Sequence, residues 1–405
     1  MKNNILTDHT LIIEKLERSI KFYNLDPIVS FLPKGSYLVG GYIRNIILGR
    51  VTEKVDVDIV VPLNAIKIGK KIAENHKLKF VILDKKREVV RIIFNHISID
   101  IANQSSSTIQ GDLSSRDFSI NSIAFLFDKK CLFDPLNGLK DLELSLLKTY
   151  SEINLLNDPL RILRCFRFVA ELNFKIDLKL VTFIKKNKAK LCLVARERIN
   201  YEIQKILNGA NALEALILVK KMNIFESDYL YKDSFFLDLE EIDYECLNQD
   251  EKDKFLPLFF VGQILDVVSL EKLKFNRAEI TKTKLLRKWH VFLKKKNVSK
   301  LNELDRFKLH QELEMFLPSF IFYLPQDLRL DWLSRWRDKD DKLFHPSNYL
   351  NGDVIKKIFK INDGPILGEL LQYLSKELAY KRLNNFDEAI YKAKQWIEQN
   401  APKCD

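Results

Sequence analysis

Period-two alternation of apolar and polar residues runs through the first third of this chain and then stops, and that switch constrains the fold more than any other feature. Strand-like runs stand at Tyr37–Val39 (YLV), Val55–Val61 (VDVDIVV), Phe80–Leu83 (FVIL), Val89–Phe94 (VVRIIF) and Ile97–Ala102 (ISIDIA). Successive side chains on a strand point to opposite faces, so each run can bury one side and present the other. Seven of the twelve glycines fall within the first 138 residues. From Asp158 onward the apolar spacing is helical, and the composition turns to Leu, Lys, Glu and Ile. A length of 405 residues suggests about two or three domains. The expectation is an α+β chain: a sheet-bearing head with an N-terminal helix over 1–150, a helical neck over 151–215, and a helical body and tail over 216–405.

The opening run MKNNILTDHTLIIEKLERSIKFY is interrupted by Glu14, Glu17 and Arg18. It reads as an amphipathic helix and as neither a leader nor a membrane span, and no later segment approaches about 20 uninterrupted apolar residues. Five cysteines without C-x-x-C spacing fit reduced thiols. Together these features point to a cytoplasmic protein without membrane contact. A net charge of +11 suits an anionic partner such as nucleic acid, where each phosphate neutralised releases counterions. A solvated basic surface accounts for the charge equally well. The same two readings apply to KKKNVSK at 294–300, and the aromatics of YLYKDSFF at 229–236 suit either base stacking or a core.

Chemistry concentrates in KGSYLVGGYIRNIILGRVTEKVDVDIVV, residues 34–61. A strand ends at Val39, Gly40 and Gly41 follow, and a helix begins that carries Arg44. Two glycines let a backbone approach a ligand without Cβ obstruction, and the arginine adds a charged fork for phosphate; a simple turn would look the same. In Val55-Asp56-Val57-Asp58-Ile59 the alternation puts both aspartates on one face. Adjacent like charges repel unless a cation lies between them, so Asp56 and Asp58 suit Mg2+ ions that orient a triphosphate. The competing reading is an edge strand with a solvated polar face. Asp100, within Ile99-Asp100-Ile101, is either a third carboxylate or a surface aspartate.

The run LVGGYIRNIILGR…DVDIV resembles motif A of the class II tRNA nucleotidyltransferase and bacterial poly(A) polymerase family, in the polymerase β-like superfamily. Four further matches follow in the family's order. Residues 115–122 (SRDFSINS) resemble its RRDFTINA segment, and Asp134-Pro135-Leu136-Asn137-Gly138 its D-P-x-x-G hinge. Asn157-Asp158-Pro159-Leu160-Arg161 resembles E-D-x-x-R, and Arg196-Glu197-Arg198-Ile199 with Glu202 resembles E-R-I-x-x-E. The resemblance implies a polymerase β-like nucleotidyltransferase head followed by an all-helical neck, body and tail. It implies that Asp56 and Asp58 hold catalytic Mg2+, that Gly40, Gly41 and Arg44 bind triphosphate, and that Arg116 and Asp117 contact the nucleotide's sugar and phosphates. Asn45, Ser115 and Asn157 stand where the family pattern has Asp, Arg and Glu.

Asp158 precedes Pro159 and is a natural cap for a helix DPLRILRCFRFVAEL that starts at the proline. Arg161 is three residues on, so both polar groups can project from one helix end. A carboxylate accepts from an exocyclic amine and an arginine donates to ring nitrogen or carbonyl, which together admit ATP and CTP. The family uses this pair as a protein template. Arg164 and Arg167 continue a basic stripe toward primer phosphates, while Ile162, Leu163, Phe166 and Val169 read as core. The chain is thus expected to add C and/or A from CTP or ATP to the 3′ end of tRNA. The competing activities are polyadenylation, transfer to a small molecule, and RNA binding without catalysis. The basic G-R/K-R-F signature of the poly(A) polymerases is not visible between Val61 and Asp100, and both aspartates of the pair are present.

Overall fold

The computed structural model describes residues 8–50, 55–94, 96–225 and 237–400. The chain divides into two units, Met1–Asp228 and Tyr229–Asp405. YLYKDSFF at 229–236 and Cys404 lie outside the described residues.

The first unit is built on a seven-stranded mixed sheet. Its strands are β1 (Tyr37–Val39), β2 (Val55–Val61), β3 (Lys79–Asp84), β4 (Val89–Phe94), β5 (Ile97–Asn103), β6 (Ala124–Leu126) and β7 (Cys131–Phe133), in the order β3-β4-β5-β2-β1-β6-β7. Only β2 and β5 run parallel; every other pair is antiparallel. The five strands expected from alternation are all present. The three-residue strands β6 and β7 were not anticipated. A second, two-stranded sheet pairs β8 (Leu146–Leu147) with β9 (Lys175–Ile176).

Helices flank the sheet and then replace it. In chain order they are α1 (His9–Phe22), α2 (Asp26–Val29), α3 (Gly41–Ile47), α4 (Ala65–His76), α5 (Ile109–Ser114), α6 (Gly138–Glu143) and α7 (Glu152–Asn157). Then come α8 (Arg161–Leu172), α9 (Leu178–Asn187), α10 (Arg196–Leu207) and α11 (Ala212–Lys221). Helix α4 lies against the face of the sheet that carries Phe80 and Val90. It comes so near that a Cβ on Gly69 would meet Val90 Cγ2 at 2.6 Å. The opposite face, in the alternate register, carries the aspartates. Ile162, Leu163, Phe166 and Val169 are all buried on α8, as their spacing requires.

Helix α8 starts two residues later than the sequence suggests. Asp158 is extended (φ −142°, ψ 90°) and ends α7, and the N-cap of α8 is Leu160 with no side-chain cap bond. The first bonds here are of the tighter i+3 type, from Arg161 N to the Asp158 carbonyl and from Ile162 N to the Pro159 carbonyl, each 3.0 Å. A turn thus intervenes between the two helices where a proline at the first helical position was expected.

The second unit holds only helices among its described residues. One apolar core gathers Phe255, Trp289, Phe307, Phe320, Trp332 and Phe344; another gathers Leu350, Ile355, Leu370, Leu374 and Ala393. The 294–300 run closes the helix Arg277–Lys295 and forms a short 3-10 turn, with Lys296 paired to Asp305 at 2.6 Å.

Candidate active site

Strand β2 is fourth of seven, so the aspartates do not sit on a solvated edge. Val55, Val57, Ile59 and Val61 are buried on one face, while Asp56 is exposed and Asp58 half-buried on the other. Strand register then sets a row across that second face. Val39 lies opposite Asp58, Asp58 opposite Asp100, Asp100 opposite Arg91, and Arg91 opposite Val81. Burial, with Asp100 and Asp56 near, pushes the Asp58 carboxyl up against the pull of Arg116. A cation beside a carboxylate so placed favours its ionised form.

Asp100 already has one. Arg91 donates from Nε to Oδ1 at 2.7 Å and from Nη2 to Oδ2 at 2.8 Å, a side-on bidentate pair. Among the described residues no group of three or more His, Cys, Asp or Glu side chains is placed to hold a metal ion. Asp56 and Asp58 therefore offer a two-carboxylate set of hard oxygens, the donor chemistry that suits a divalent ion which draws its other ligands from water and phosphate.

Gly40 closes the β1 side of this row. Its φ of +80° is a conformation that favours glycine, and a Cβ there would lie 2.8 Å from Asp58 Oδ2 and 3.3 Å from Arg116 Nη1. Arg116 donates from Nη2 to Asp112 Oδ2 at 3.3 Å, and its Nε is buried without a protein partner. Arg44 is only 7% exposed; Nη1 donates to Asn121 Oδ1 at 2.6 Å and Nη2 to Asn45 Oδ1 at 3.0 Å. Burial pulls this guanidinium down to about 10. Asn45, where the family pattern has Asp, thus fixes Arg44 as a neutral acceptor.

A single cleft of about 1260 Å³ gathers Gly40, Gly41, Arg44, Asp56, Asp58, Asp100, Arg116, Asp117, Arg164 and Arg167. Asp117, Arg164 and Arg167 join the sheet to α8 and α10. Asp117 Oδ2 accepts from Arg164 Nε at 2.8 Å, while Oδ1 accepts from Phe118 N at 2.8 Å and Asn121 Nδ2 at 3.0 Å. Burial alone would raise the Asp117 carboxyl, but Arg164 and the hydrogen bonds outweigh it and hold it low. Arg167 donates to Glu171 at 2.7 Å and lies 3.5 Å from Glu202. Arg44, Arg164 and Arg167 all stack on the buried Phe168 ring, at 4.9, 5.7 and 5.5 Å from its centroid. The basic stripe expected to reach toward primer phosphates is thus tied to carboxylates and to one aromatic ring. Phe168, Glu171 and Arg91 escaped the sequence reading, although Arg91 holds a polar slot in the alternation of β4.

Asp158 and Arg161 stand outside the lining of that cleft, and each is partly engaged. Asp158 Oδ2 accepts from Arg198 Nη2 at 2.8 Å, while Oδ1 accepts from Leu160 N at 3.3 Å. Arg161 donates from Nη1 to the Ser115 carbonyl at 2.9 Å and the Asn154 carbonyl at 3.2 Å, leaving Nε and Nη2 without a protein bond.

Residues 36–148 match the family model described as the Poly A polymerase head domain, and residues 173–227 that of the probable RNA and SrmB-binding site of polymerase A. A CC-adding tRNA nucleotidyltransferase of Synechocystis sp. is 28% identical over 91% of this chain and 95% of its own length. A CC-adding tRNA nucleotidyltransferase of Geobacter sulfurreducens is 31% identical over 52% of this chain, which spans about half of that relative, 50%. A Thermotoga maritima CCA-adding enzyme, solved in complex with tRNA, superposes with a TM-score of 0.73. That match is at 22% identity and covers 97% of this chain and 100% of the other, a likeness of fold.

Proposed function

We infer the activity of this chain from its descent: it belongs to the class II CCA-adding enzyme and poly(A) polymerase family. It is a tRNA nucleotidyltransferase that adds C and/or A residues from CTP and ATP to the 3′ end of tRNA without a nucleic-acid template. The acceptor's 3′-hydroxyl oxygen bonds to the α-phosphorus, the α–β phosphoanhydride bond breaks, diphosphate leaves with the electron pair, and the hydroxyl proton passes to solvent. The observation that carries this reading is the Asp56/Asp58 pair on a central strand, with the Gly40 backbone and Arg116 beside it.

Enzymes of this family generally depend on a divalent metal. Asp56 and Asp58 are the residues that would hold it here, and Mg2+ suits their hard oxygens. Bound there, the ion would supply charge that neutralises phosphate and makes the attacking hydroxyl more acidic. Arg116, with its buried and unpartnered Nε, and Gly40 and Gly41 seat the triphosphate. Arg164, paired with Asp117, Arg167, paired with Glu171 and Glu202, and Arg44, bonded to Asn121, hold the wall of the nucleotide cleft around Phe168. Asp158 and Arg161 read the base edge, the free Nε and Nη2 of Arg161 being available to donate. This reading places the protein in the cytoplasm with its tRNA; no helix among the described residues is long and apolar enough to cross a membrane.

CC addition is the form best supported, because the Synechocystis relative that aligns over nearly the whole of both chains is a CC-adding enzyme. The test is incubation of the protein with Mg2+, each labelled NTP in turn, and tRNA ending before, within or after its CC. Two residues of C on the bare end, and none of A, are expected. Transfer that stops without Asp56 or Asp58 supports the metal pair. Full turnover by Asp56→Ala or Asp58→Ala removes that residue from it.

A further inference from the structure

The half of the aspartate-bearing face formed by β5, β4 and β3 has no role in the reading above. Helix α4 packs on the other side of these strands, through Gly69 against Val90. On the aspartate side Arg91 is bracketed by three apolar residues. Val89 and Ile93 are its same-face neighbours along β4, both partly exposed, and Val81 is its cross-strand partner, 51% exposed. The Arg91 clamp on Asp100 uses Nε and Nη2, so Nη1 has no protein bond. The turn between β3 and β4 presents Lys85 and Lys86, both exposed. The cleft that contains Asp56 and Asp58 extends to Arg91. Apolar surface, a half-committed guanidinium and two lysines, continuous with the carboxylates, form a platform for single-stranded nucleic acid.

The geometry of the reaction says which strand belongs there. Attack at phosphorus is in line, so the incoming hydroxyl and the departing diphosphate lie on opposite sides of the α-phosphorus. Gly40 and Arg116 stand on the β1 side of Asp58, and the proposed function seats the triphosphate there. The attacking hydroxyl must therefore come from the β5 side. Strands lie about 4.8 Å apart, so Arg91 is about 10 Å and Val81 about 14 Å from Asp58 along that direction. These are the distances over which the last nucleotides of an acceptor strand would extend.

We propose that the open β5–β4–β3 face seats the 3′-terminal nucleotides of the RNA acceptor, with Val81, Val89 and Ile93 under the bases or riboses and Arg91, Lys85 and Lys86 on phosphates. The proposal rests on the reading of the chain as an RNA nucleotidyltransferase. Val81 is a positioning residue at a surface site, so Val81→Asp should fold as the wild type does. It is expected to raise KM for tRNA lacking its CCA about tenfold, the scale of one lost stacking contact. KM for CTP should stay unchanged, and Val81→Ile should restore the wild-type acceptor KM. Independently of any variant, a tRNA whose last nucleotide is 4-thiouridine should crosslink to the wild-type protein within residues 79–93. An unchanged acceptor KM in Val81→Asp, or a crosslink confined to other segments, overturns the proposal while leaving the activity standing. A wild-type protein that extends no RNA overturns both.

Discussion

At position 40 the backbone itself lines the cleft, against Asp58. Replacing Gly40 by Ala would force a conformation that costs about 1–3 kcal/mol and would drive a methyl group into the Asp58 carboxylate. The expected outcome is a fall in kcat of about a hundredfold, the scale of a 1 Å misplacement, with a folded circular dichroism spectrum and a modestly lowered Tm. Near-normal kcat would mean that the Asp58 position tolerates displacement. Asp158 poses a different question, because its bond to Leu160 N is long and its stronger partner is Arg198. Asp158→Ala should relax the choice among NTPs by roughly ten- to a hundredfold while Tm changes little. Competition assays read beside a thermal melt decide it: intact selectivity with a lowered Tm would reduce Asp158 to a structural tie. The sequence exposed Gly40, Asp56 and Asp58 because a Gly-Gly turn and a same-face acid pair are local patterns. The Arg91–Asp100 bond was hidden, since it exists only in the β4–β5 register, and Arg164 finds Asp117 47 residues away.

Elements were legible where a repeat or a flanking turn marked them. Strands β2 to β5 were legible as apolar runs long enough to repeat, β1 as the apolar run before Gly40 and Gly41, β6 and β7 offered no such signal, and α8 began late because a turn at Pro159 imitates a helix start. The helices of the second unit offered spacing but no sign of which partners they meet. Their packing sets up a pH effect that the sequence did not suggest. His310 is buried between Trp332 and Phe344, with centroids 4.6 and 3.9 Å away and neither ring nitrogen bonded. Burial, with Arg306 and Arg335 near, lowers it to about 3. The unfolded chain, with an ordinary histidine near 6.5, then binds the proton first. Stability is fully present above about pH 6.5 and falls by about 1.4 kcal/mol per unit as pH drops toward the folded value. Denaturant melts between pH 7 and 4.5 should show this slope, and His310→Phe should flatten it. A slope unaltered by the substitution would assign the acid sensitivity to other groups.

Over the whole molecule the excess of positive charge, +11, is the property most exposed to test. If it serves tRNA, log Kd should rise with log salt at roughly 0.9 per phosphate contacted, by analogy with B-DNA. Affinity that stays flat between 50 and 200 mM salt, measured by filter binding (about an order of magnitude is expected for even two contacts), would make the charge plain solvated surface. Charge also bears on how the protein acquires its metal. Since Arg91 occupies both oxygens of Asp100, the proposed site presents two carboxylates to a divalent ion, and nucleotide phosphate would complete the shell. Metal and nucleotide are then linked ligands: whatever factor CTP adds to Mg2+ affinity, Mg2+ must add to CTP affinity. Calorimetric titrations of each in the presence and absence of the other should return one and the same factor, well above one. Tight Mg2+ binding without CTP would mean that Arg91 surrenders Asp100. Equal factors well above one would mean that the ion Asp56 and Asp58 are proposed to hold arrives and departs with each nucleotide added.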